Sequence, residues 1–454
     1  MRLVDDLHGG LPEGAVITDP DLLASYRHDE AAFVAAGNPA VAVLPRDTAQ
    51  VQHVLRVASS AGVAVVTQGA RSGLAGGANA IDGCIVLSTV RMDRIVEVNP
   101  ADRLAVVEPG VTNAALSRAA ADEGLFYPPD PASWEFSTIG GNIATDAGGL
   151  CCVKYGVTSQ YVLGLEVVLA SGEVLRTGRR TVKGVAGYDL TRLIVGSEGT
   201  LGVITQATLA LRPAGTVPLT LAAVFPSTAA AGAAVTAIIA SGAVPALLEI
   251  IDRVHLRAIE EYKPMGLDTE AAALLLAQCD TGPQASDDLA ALAAICAEAG
   301  ATEVVRATDA GESAMLLEAR RVAYQAIERL GAVIVDDVAV PRSRLADLLD
   351  GVERIGAECE VTVGVIGHAG DGNMHPNIVV PHGDAEALER GRRAFTQIMQ
   401  LGLDLGGTVT GEHGVGLLKR DWLATELGPV GVRISRAVRF AFDPAGILNP
   451  GKVV

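Results

Sequence analysis

The chain has 454 residues, with 53 acidic and 35 basic side chains and a net charge of −18. Because one hydrophobic core rarely serves more than about 250–300 residues, this length predicts two or three domains. The acidity, together with the lack of any basic run, argues against nucleic acid as a partner and against attraction of the whole chain to an anionic membrane.

The predicted elements begin with an α/β unit formed by a strand at 41–44, a helix at 48–61 with Thr48 as its cap, and a strand at 63–67. A glycine-rich loop at 69–77 follows, in which backbone N–H groups, Arg71 and Ser72 can donate hydrogen bonds to a phosphate. The spacing is not Gly-x-Gly-x-x-Gly and no helix follows, so neither a Rossmann fold nor NAD is indicated.

The rest of the first half alternates short strands with one long irregular stretch. Strands at 94–98 and 104–108 and a helix at 112–123 precede residues 126–149, which are rich in Pro, Gly and small hydroxyl side chains. That composition predicts an extended wall of backbone donors and acceptors against a flat polar ligand, with an ordinary long loop as the alternative. A hairpin at 163–177 and the segment 187–205 close this half.

The longest uncharged run, 213–248, is rich in small residues and broken by prolines and glycines, so it predicts a strand, a buried helix and a strand rather than a membrane span. With strands at 272–277 and 302–306 and a helix at 285–300, it predicts a β-α-β-β-α-β order. A charged helix near 310–330 and a strand at 360–366 come next.

A candidate metal site follows that strand, in His368-Ala-Gly-Asp-Gly-Asn-Met-His375 and the later Gly411-Glu412-His413-Gly414. If the glycine-rich turn folds back, its two imidazoles converge, and with a carboxylate they would suit Zn²⁺ or a similar ion with one open coordination position. No Cys-x-x-Cys pair occurs among the six cysteines, which argues against an iron–sulfur or structural zinc site and gives no disulfide framework. The alternative is a set of loop histidines hydrogen-bonded to backbone carbonyls.

Several motifs occur in the order found in one family: the loop at 69–77, Ser137-Thr-Ile-Gly-Gly-Asn142 with Ala147-Gly-Gly149, Gly187-Tyr-Asp-Leu190, and Gly196-Ser-Glu-Gly-Thr-Leu-Gly202. Together they resemble the FAD-binding domain of the vanillyl-alcohol oxidase/p-cresol methylhydroxylase (PCMH) group. With the histidine motifs and Asn449-Pro-Gly-Lys452, the chain resembles the D-2-hydroxy-acid dehydrogenase branch. That branch includes the glycolate oxidase FAD subunit, cytochrome-type D-lactate dehydrogenase and D-2-hydroxyglutarate dehydrogenase.

The resemblance implies an α+β protein with a two-part PCMH-type FAD-binding domain at 1–215, whose core spans about 37–213. A ferredoxin-like substrate domain with a C-terminal helical segment would follow at 216–454, with the last ~40 residues returning to the flavin domain. FAD would be bound non-covalently, since no histidine lies between His53 and His255. The residues implied to bind FAD are Gly69, Ala70, Arg71, Ser72, Gly73, Leu74, Gly76, Pro131, Ser133, Ser137, Thr138, Gly140, Gly141, Asn142, Ala144, Thr145, Gly148, Glu198, Val203, Ile204 and Asn449.

The chemistry of these residues, together with the resemblance, assigns roles at the reacting centre. His368, His375 and Glu412 would hold the metal, with Zn²⁺ favoured over Mn²⁺ or Fe²⁺, and His413 would take the proton of a 2-hydroxy acid while hydride passes to flavin N5. Arg320 would clamp the substrate carboxylate, its alternative role being a solvated helix charge, and Asn377 would hydrogen-bond the substrate.

The implied partners are a small 2-hydroxy acid and an electron acceptor, for which the sequence leaves four alternatives: a quinone, a cytochrome, an electron-transfer flavoprotein or O₂. The sequence predicts a cytoplasmic protein without a signal peptide or transmembrane segment, and leaves open peripheral membrane attachment and a homodimer. Three other functions stay open: a flavin enzyme acting on a non-acid alcohol, an FAD-carrying subunit of a glycolate oxidase complex, and a colourless metal-binding protein.

Overall fold

A computed structural model describes residues 2–454, which form two compact units. The first combines the residues up to Gly148 with Val157–Ala214 and Glu412–Val454, and the second combines Gly149–Gly156 with Gly215–Gly411. The main division therefore falls one residue before the predicted boundary. The short segment Gly149–Gly156 differs from the prediction, because it packs with the second unit.

The first unit contains seven helices and eleven strands within the described residues. The helices are α1 (Arg2–His8), α2 (Pro20–Ala24), α3 (Thr48–Ala61), α4 (Asn113–Asp122), α5 (Ile139–Thr145), α7 (Leu190–Ile194) and α14 (Arg420–Phe442), numbered along the whole chain. The strands are β1 (Val16–Ile17), β2 (Val41–Val43), β3 (Val65–Gln68), β4 (Ile85–Ser88), β5 (Ile95–Asn99), β6 (Leu104–Val107), β7 (Leu125–Phe126), β8 (Val162–Val168), β9 (Val174–Gly178), β10 (Val203–Ala210) and β11 (Arg212–Pro213).

Two sheets organise this unit. One has the order β1-β2-β4-β3, with β2, β4 and β3 parallel, and its valine-rich strands are buried together with one side of α3. The other is antiparallel, with the order β5-β6-β10-β8-β9, and packs around a second apolar cluster that includes side chains of α4 and α5. Parallel strands buried in this way read as continuous apolar runs, which is why the sequence shows them clearly.

Two local predictions in this unit need correction. The side chain that caps α3 belongs to Asp47, whose carboxylate accepts the amide of Gln50 at 2.9 Å, whereas the Thr48 hydroxyl donates to Glu166. Residues 126–149 are not extended throughout, because Thr138 caps the short helix α5. A composition rich in glycine hides such a helix, since each glycine weakens the helical pattern.

The second unit contains seven helices and eight strands within its described ranges. The helices are α6 (Cys152–Tyr155), α8 (Thr228–Ala240), α9 (Arg253–Tyr262), α10 (Ala285–Glu298), α11 (Ala310–Glu328), α12 (Leu345–Cys359) and α13 (Ala385–Asp404). The strands are β12 (Leu219–Phe225), β13 (Leu247–Asp252), β14 (Ala273–Cys279), β15 (Glu303–Arg306), β16 (Ala332–Val335), β17 (Val338–Ala339), β18 (Thr362–His368) and β19 (Asn373–Val380).

The eight strands of this unit form a single sheet. Its main path is β15-β12-β14-β13-β18-β19-β16, and β17 pairs with β19. The first four strands in this order reproduce the predicted ferredoxin-like unit, and the hairpin β18–β19 extends it. Helices α9 and α11 contact one another and pack on one face through a shared apolar cluster. The run 213–248 forms β12, α8 and the start of β13, as predicted, and none of the helices within residues 2–454 has the length and apolarity needed to cross a membrane.

Candidate active site

A cleft in the first unit is lined mainly by backbone and small side chains from three segments, 69–78, 138–148 and 197–204. Most of the residues implied to bind FAD lie in its wall: Gly69, Ala70, Arg71, Ser72, Gly73, Leu74, Pro131, Ser133, Thr138, Gly140, Gly141, Asn142, Ala144, Thr145, Gly148, Glu198 and Ile204. The other four, Gly76, Ser137, Val203 and Asn449, do not line the cleft. Contact of these four residues with FAD stays a prediction.

The cleft fits a large ligand that bonds to backbone and small polar groups. A Cβ on Gly69 would lie 2.2 Å from the Thr138 hydroxyl, and one on Gly140 would lie 2.6 Å from Pro109, so these segments approach one another only as glycines. In the wall, the Thr67 hydroxyl and the Asn142 amide nitrogen are buried without a hydrogen-bond partner among residues 2–454. Since buried polar groups are nearly always bonded, these two atoms indicate a ligand with polar edges, as in FAD.

Two carboxylates and one ammonium group are buried in or behind this cleft. Burial raises the pKa of Asp29 above its usual range and that of Glu198 to about 7, against the opposing effect of backbone amides and Lys452. Burial also lowers the pKa of Lys452 to about 8, and its ammonium donates to the carbonyl of Asn79. The sequence motif Asn449-Pro-Gly-Lys452 thus places a cation beneath the glycine loop.

The Glu198 pKa leads to a prediction for stability. Its folded-state value of about 7 exceeds the unfolded value of 4.5, so its contribution to the free energy of unfolding is full below pH 4.5 and is lost as the pH rises through 7. Relative to Glu198→Gln, the wild-type protein should lose up to about 3 kcal/mol between pH 4.5 and 7.5. Urea unfolding of both proteins at several pH values measures this difference, and parallel pH profiles would contradict the assignment.

In the second unit, a group of polar side chains shares one face of the sheet. Because side chains alternate along a strand, Glu249 of β13, His368 of β18, and His375 and Asn377 of β19 face the same side as the apolar residues that pack on α9 and α11. These four residues are between 0% and 6% exposed. The hairpin therefore brings both histidines to one buried polar patch, as the turn between them predicted.

His368 is oriented by a buried carboxylate. Its Nδ1 lies 2.6 Å from Oε1 of Glu249, and Oε2 of Glu249 accepts a 2.8 Å bond from Nε of Arg320. Because a carboxylate only accepts, Nδ1 carries the hydrogen and Nε2 is left with a lone pair suited to a metal. The Arg320 side chain is 11% exposed, so it is not the solvated helix charge that the sequence left as an alternative.

His375 has a similar neighbour. Its ring is 5.0 Å from that of His368 in an edge-on arrangement, and its Nδ1 lies 3.8 Å from Oδ1 of Asp337. The other oxygen of Asp337 accepts the Thr410 hydroxyl at 2.9 Å and the Gly411 amide at 3.0 Å. Asp337 thus holds the chain immediately before Glu412.

Asn377 has a fixed amide orientation. Its Nδ2 donates to Nε2 of His255 at 3.1 Å and to the His375 carbonyl at 3.2 Å, two acceptors that only an NH₂ group can satisfy. His255 is held in the Nδ1–H form by Asp252 at 2.9 Å. The Asn377 oxygen is buried and accepts no bond within the described part of the chain, so it offers an acceptor to a ligand.

Sequence reasoning did not place Glu249 or Asp337 in the site. A signal was present for Glu249, which is the one charged residue in the apolar stretch Leu247-Leu-Glu-Ile-Ile251. Since carboxylates are seldom fully buried unless paired, a lone acid in a core strand indicates a buried partner. That partner, Arg320, is 71 positions away, and only the folded chain identifies it.

Glu412 and His413 belong to the first unit, where both line the cleft of the glycine loop. A Cβ on Gly148 would come within 2.1 Å of Oε2 of Glu412, so glycine at 148 leaves room for that carboxylate. His368 and His375 belong to the second unit. Shared coordination of one metal by His368, His375 and Glu412 stays a prediction.

Comparisons with known proteins identify the family to which this chain belongs. Residues 217–453 match the model of the FAD-linked oxidase C-terminal domain, and residues 39–178 match an FAD-binding domain. The chain is 43% identical over 418 residues to glycolate oxidase subunit GlcD of Bacillus subtilis, covering 91% of this chain and 89% of that protein. The chain belongs to the FAD-linked oxidase family. It is therefore an FAD-dependent oxidoreductase, in agreement with the resemblance found in the sequence.

Other members of the FAD-linked oxidase family carry different substrate names. D-lactate dehydrogenase of Anaerostipes hadrus is 34% identical, over 96% of this chain and 94% of that protein. D-2-hydroxyglutarate dehydrogenase of Stutzerimonas stutzeri is 32% identical, over 99% and 98%. The crystal structure of p-cresol methylhydroxylase superposes with a TM-score of 0.84 at 19% identity, covering 100% of this chain and 96% of that one, which confirms the predicted PCMH-type fold.

Proposed function

We propose that this FAD-linked oxidase converts a D-2-hydroxy acid of the D-lactate, glycolate or D-2-hydroxyglutarate class to its 2-oxo acid. The observation that carries the proposal is the buried arrangement of Arg320, Glu249 and His368 in an FAD-dependent oxidoreductase. This arrangement combines a guanidinium that can bind the substrate carboxylate with an imidazole whose Nε2 is oriented to bind a metal. The substrate names of the three relatives support the same class.

The donor set fits a divalent metal. His368 presents Nε2 because Nδ1 is held by Glu249, and a carboxylate behind the imidazole is the usual support of a zinc-bound histidine. We assign His368, His375 and Glu412 as ligands of Zn²⁺, with Mn²⁺ and Fe²⁺ as alternatives. When bound, the metal would supply a Lewis acid that lowers the pKa of the substrate hydroxyl.

Arg320 has donors left to bind the substrate carboxylate. A guanidinium has five N–H groups, and within residues 2–454 Arg320 uses only Nε–H, in the bond to Glu249. The two terminal NH₂ groups can therefore form the bidentate pair that arginine makes with carboxylates. The bond to Glu249 fixes the orientation of the Arg320 guanidinium. The side-chain oxygen of Asn377 adds an acceptor for a hydrogen of the ligand.

His413 is assigned as the base that takes the hydroxyl proton. Imidazole is the side chain most often used for proton transfer at neutral pH, and His413 lines the same cleft as the FAD loop. Once the hydroxyl is deprotonated, the Cα–H bond can release hydride and the carbon becomes the carbonyl of the 2-oxo acid. When bound, FAD supplies the hydride acceptor at N5.

The proposal is tested with purified, yellow protein and an artificial dye as electron acceptor. D- and L-lactate, glycolate, D- and L-2-hydroxyglutarate and a benzylic alcohol are compared by the loss of oxidised-flavin absorbance without oxygen. At least one acid should bleach the flavin, and for lactate and 2-hydroxyglutarate the D enantiomer should bleach it faster than the L enantiomer. Bleaching by the benzylic alcohol alone would contradict the proposal and favour an oxidase of non-acid alcohols.

Removal of the metal is expected to slow reduction of the flavin without releasing FAD. Protein treated with EDTA and desalted should lose most of its substrate-driven bleaching and regain it on addition of Zn²⁺ or Mn²⁺. Reduction by dithionite serves as the control, since it needs neither metal nor substrate site. Metal-free protein with unchanged activity would contradict the metal assignment.

The name of the Bacillus subtilis relative favours one further proposal, that the chain acts as the FAD-carrying subunit of a larger glycolate oxidase. In that case the isolated chain would reduce its flavin with glycolate but would pass electrons poorly to a quinone, a cytochrome, an electron-transfer flavoprotein or O₂. Comparing single-turnover bleaching with steady-state turnover on each acceptor separates a subunit from a complete enzyme.

A further inference from the structure

Glu198 occupies a tight turn between α7 and β10 and is 7% exposed. Its φ is +50°, in the left-handed region that residues other than glycine seldom adopt. The surrounding structure must therefore hold the Glu198 backbone in this conformation. Oε1 accepts the Val415 amide at 2.7 Å and Oε2 accepts the Gly416 amide at 2.9 Å. Both carboxylate oxygens are thus bonded to one loop.

Glu412 and His413 lie in the same loop, a few residues before Val415. A second acceptor, in the glycine loop, also binds this loop. The carbonyl of Ala75, in the glycine loop, accepts the amides of Leu417 at 2.9 Å and Leu418 at 3.1 Å. Four consecutive amides, 415–418, therefore donate to Glu198 and Ala75. A Cβ on Gly416 would lie 2.1 Å from the Ala75 carbonyl oxygen, so the loop docks this closely only with glycine at 416.

The C-terminal segment ties the Glu198 turn to the glycine loop. The Asn449 side-chain amide donates to the Glu198 carbonyl at 2.7 Å and to the Gly77 carbonyl at 3.0 Å. Lys452 is fully buried and donates to the Asn79 carbonyl. The turn, the His413 loop and the glycine loop are consequently one hydrogen-bonded assembly within the first unit.

We infer that Glu198 is a positioning residue that fixes His413 relative to the flavin loop, and not a ligand of FAD. Both Glu198 oxygens already accept backbone amides of the His413 loop, and their geometry is accounted for without any bond to FAD. Glu198 uses both oxygens on Val415 and Gly416, two and three residues beyond His413. The inference rests on the proposed function, in which His413 is the base.

The test compares wild type, Glu198→Gln, Glu198→Asp and the exposed control Glu123→Gln. Glu198→Gln places an NH₂ group against a backbone N–H, and Glu198→Asp keeps the charge but shortens its reach. Both should retain FAD and normal reduction by dithionite, while flavin reduction by the acid slows about 10- to 100-fold, as expected for a base moved by about 1 Å. The Kd of the acid should change little, and Glu123→Gln should behave as wild type.

Amide hydrogen exchange gives a readout that needs no activity. In Glu198→Gln, exchange at residues 415 and 416 should become faster than in wild type and in the control. Loss of FAD with unchanged loop exchange would make Glu198 a cofactor ligand and overturn the inference, as would wild-type reduction with unchanged exchange. If no acid reduces the wild-type flavin, the proposed function fails, and FAD retention together with loop exchange still decides whether Glu198 anchors the loop.

Discussion

Replacing His413 by asparagine is expected to slow reduction of the flavin by the 2-hydroxy acid about 10²- to 10⁴-fold, the usual contribution of a positioned general base. Asparagine has similar size and polarity but cannot accept a proton at neutral pH. The FAD spectrum and the metal content should not change, because in our assignment His413 is a ligand of neither. Stopped-flow absorbance without oxygen measures the reduction rate directly.

The matched control for this variant is His382→Asn, which alters an exposed histidine outside the cleft. It should reduce its flavin as fast as wild type. Bleaching by His413→Asn at a rate near that of the control would remove His413 from the role of base. Loss of metal in His413→Asn would instead make it a ligand.

Replacing Glu249 by glutamine is expected to have the largest effect on the second unit. The carboxylate is fully buried between Arg320 and His368, at 2.8 Å and 2.6 Å. Its loss leaves an uncompensated buried guanidinium, which typically costs about 3–5 kcal/mol of unfolding free energy. It also removes the support behind His368, which should weaken metal binding about 10- to 100-fold.

Glu270→Gln is a matched control, since Glu270 pairs with Arg257 in the same unit but both side chains are more than half exposed. An exposed pair contributes about 0–1 kcal/mol, so this variant should unfold almost like wild type. Urea unfolding and metal titration of both variants test the difference. Equal stability and equal metal affinity for Glu249→Gln and Glu270→Gln would show that Glu249 does not support the site.

The sequence predicts the parts of this protein that depend on short segments. The parallel strands of the first sheet, the ferredoxin-like strand order and the turn between His368 and His375 follow from local apolar patterns and glycine positions. The family also follows, because its motifs occur in a fixed order along the chain.

Contacts between distant segments are harder to predict, and the supporting residues of the site depend on them. Glu249 meets Arg320 only because β13 and α11 pack together, and Glu198 meets Val415 only because the C-terminal part of the chain returns to the first unit. The motif at 196–202 predicts that Glu198 lies in the flavin region, but it does not predict which groups donate hydrogen bonds to the Glu198 oxygens. The sequence predicts a cofactor contact for Glu198, and the folded chain adds its two bonds to the Val415 and Gly416 amides, from which we infer a loop anchor.

In the proposed reaction, a 2-hydroxy acid transfers hydride from Cα to the bound flavin. The most direct measurement is anaerobic rapid mixing of the purified protein with the most active acid, prepared with hydrogen or deuterium at Cα. We expect one equivalent of 2-oxo acid per flavin reduced, with slower bleaching by the deuterated acid. A flavin that stays oxidised with every 2-hydroxy acid, yet is reduced by dithionite, would contradict it.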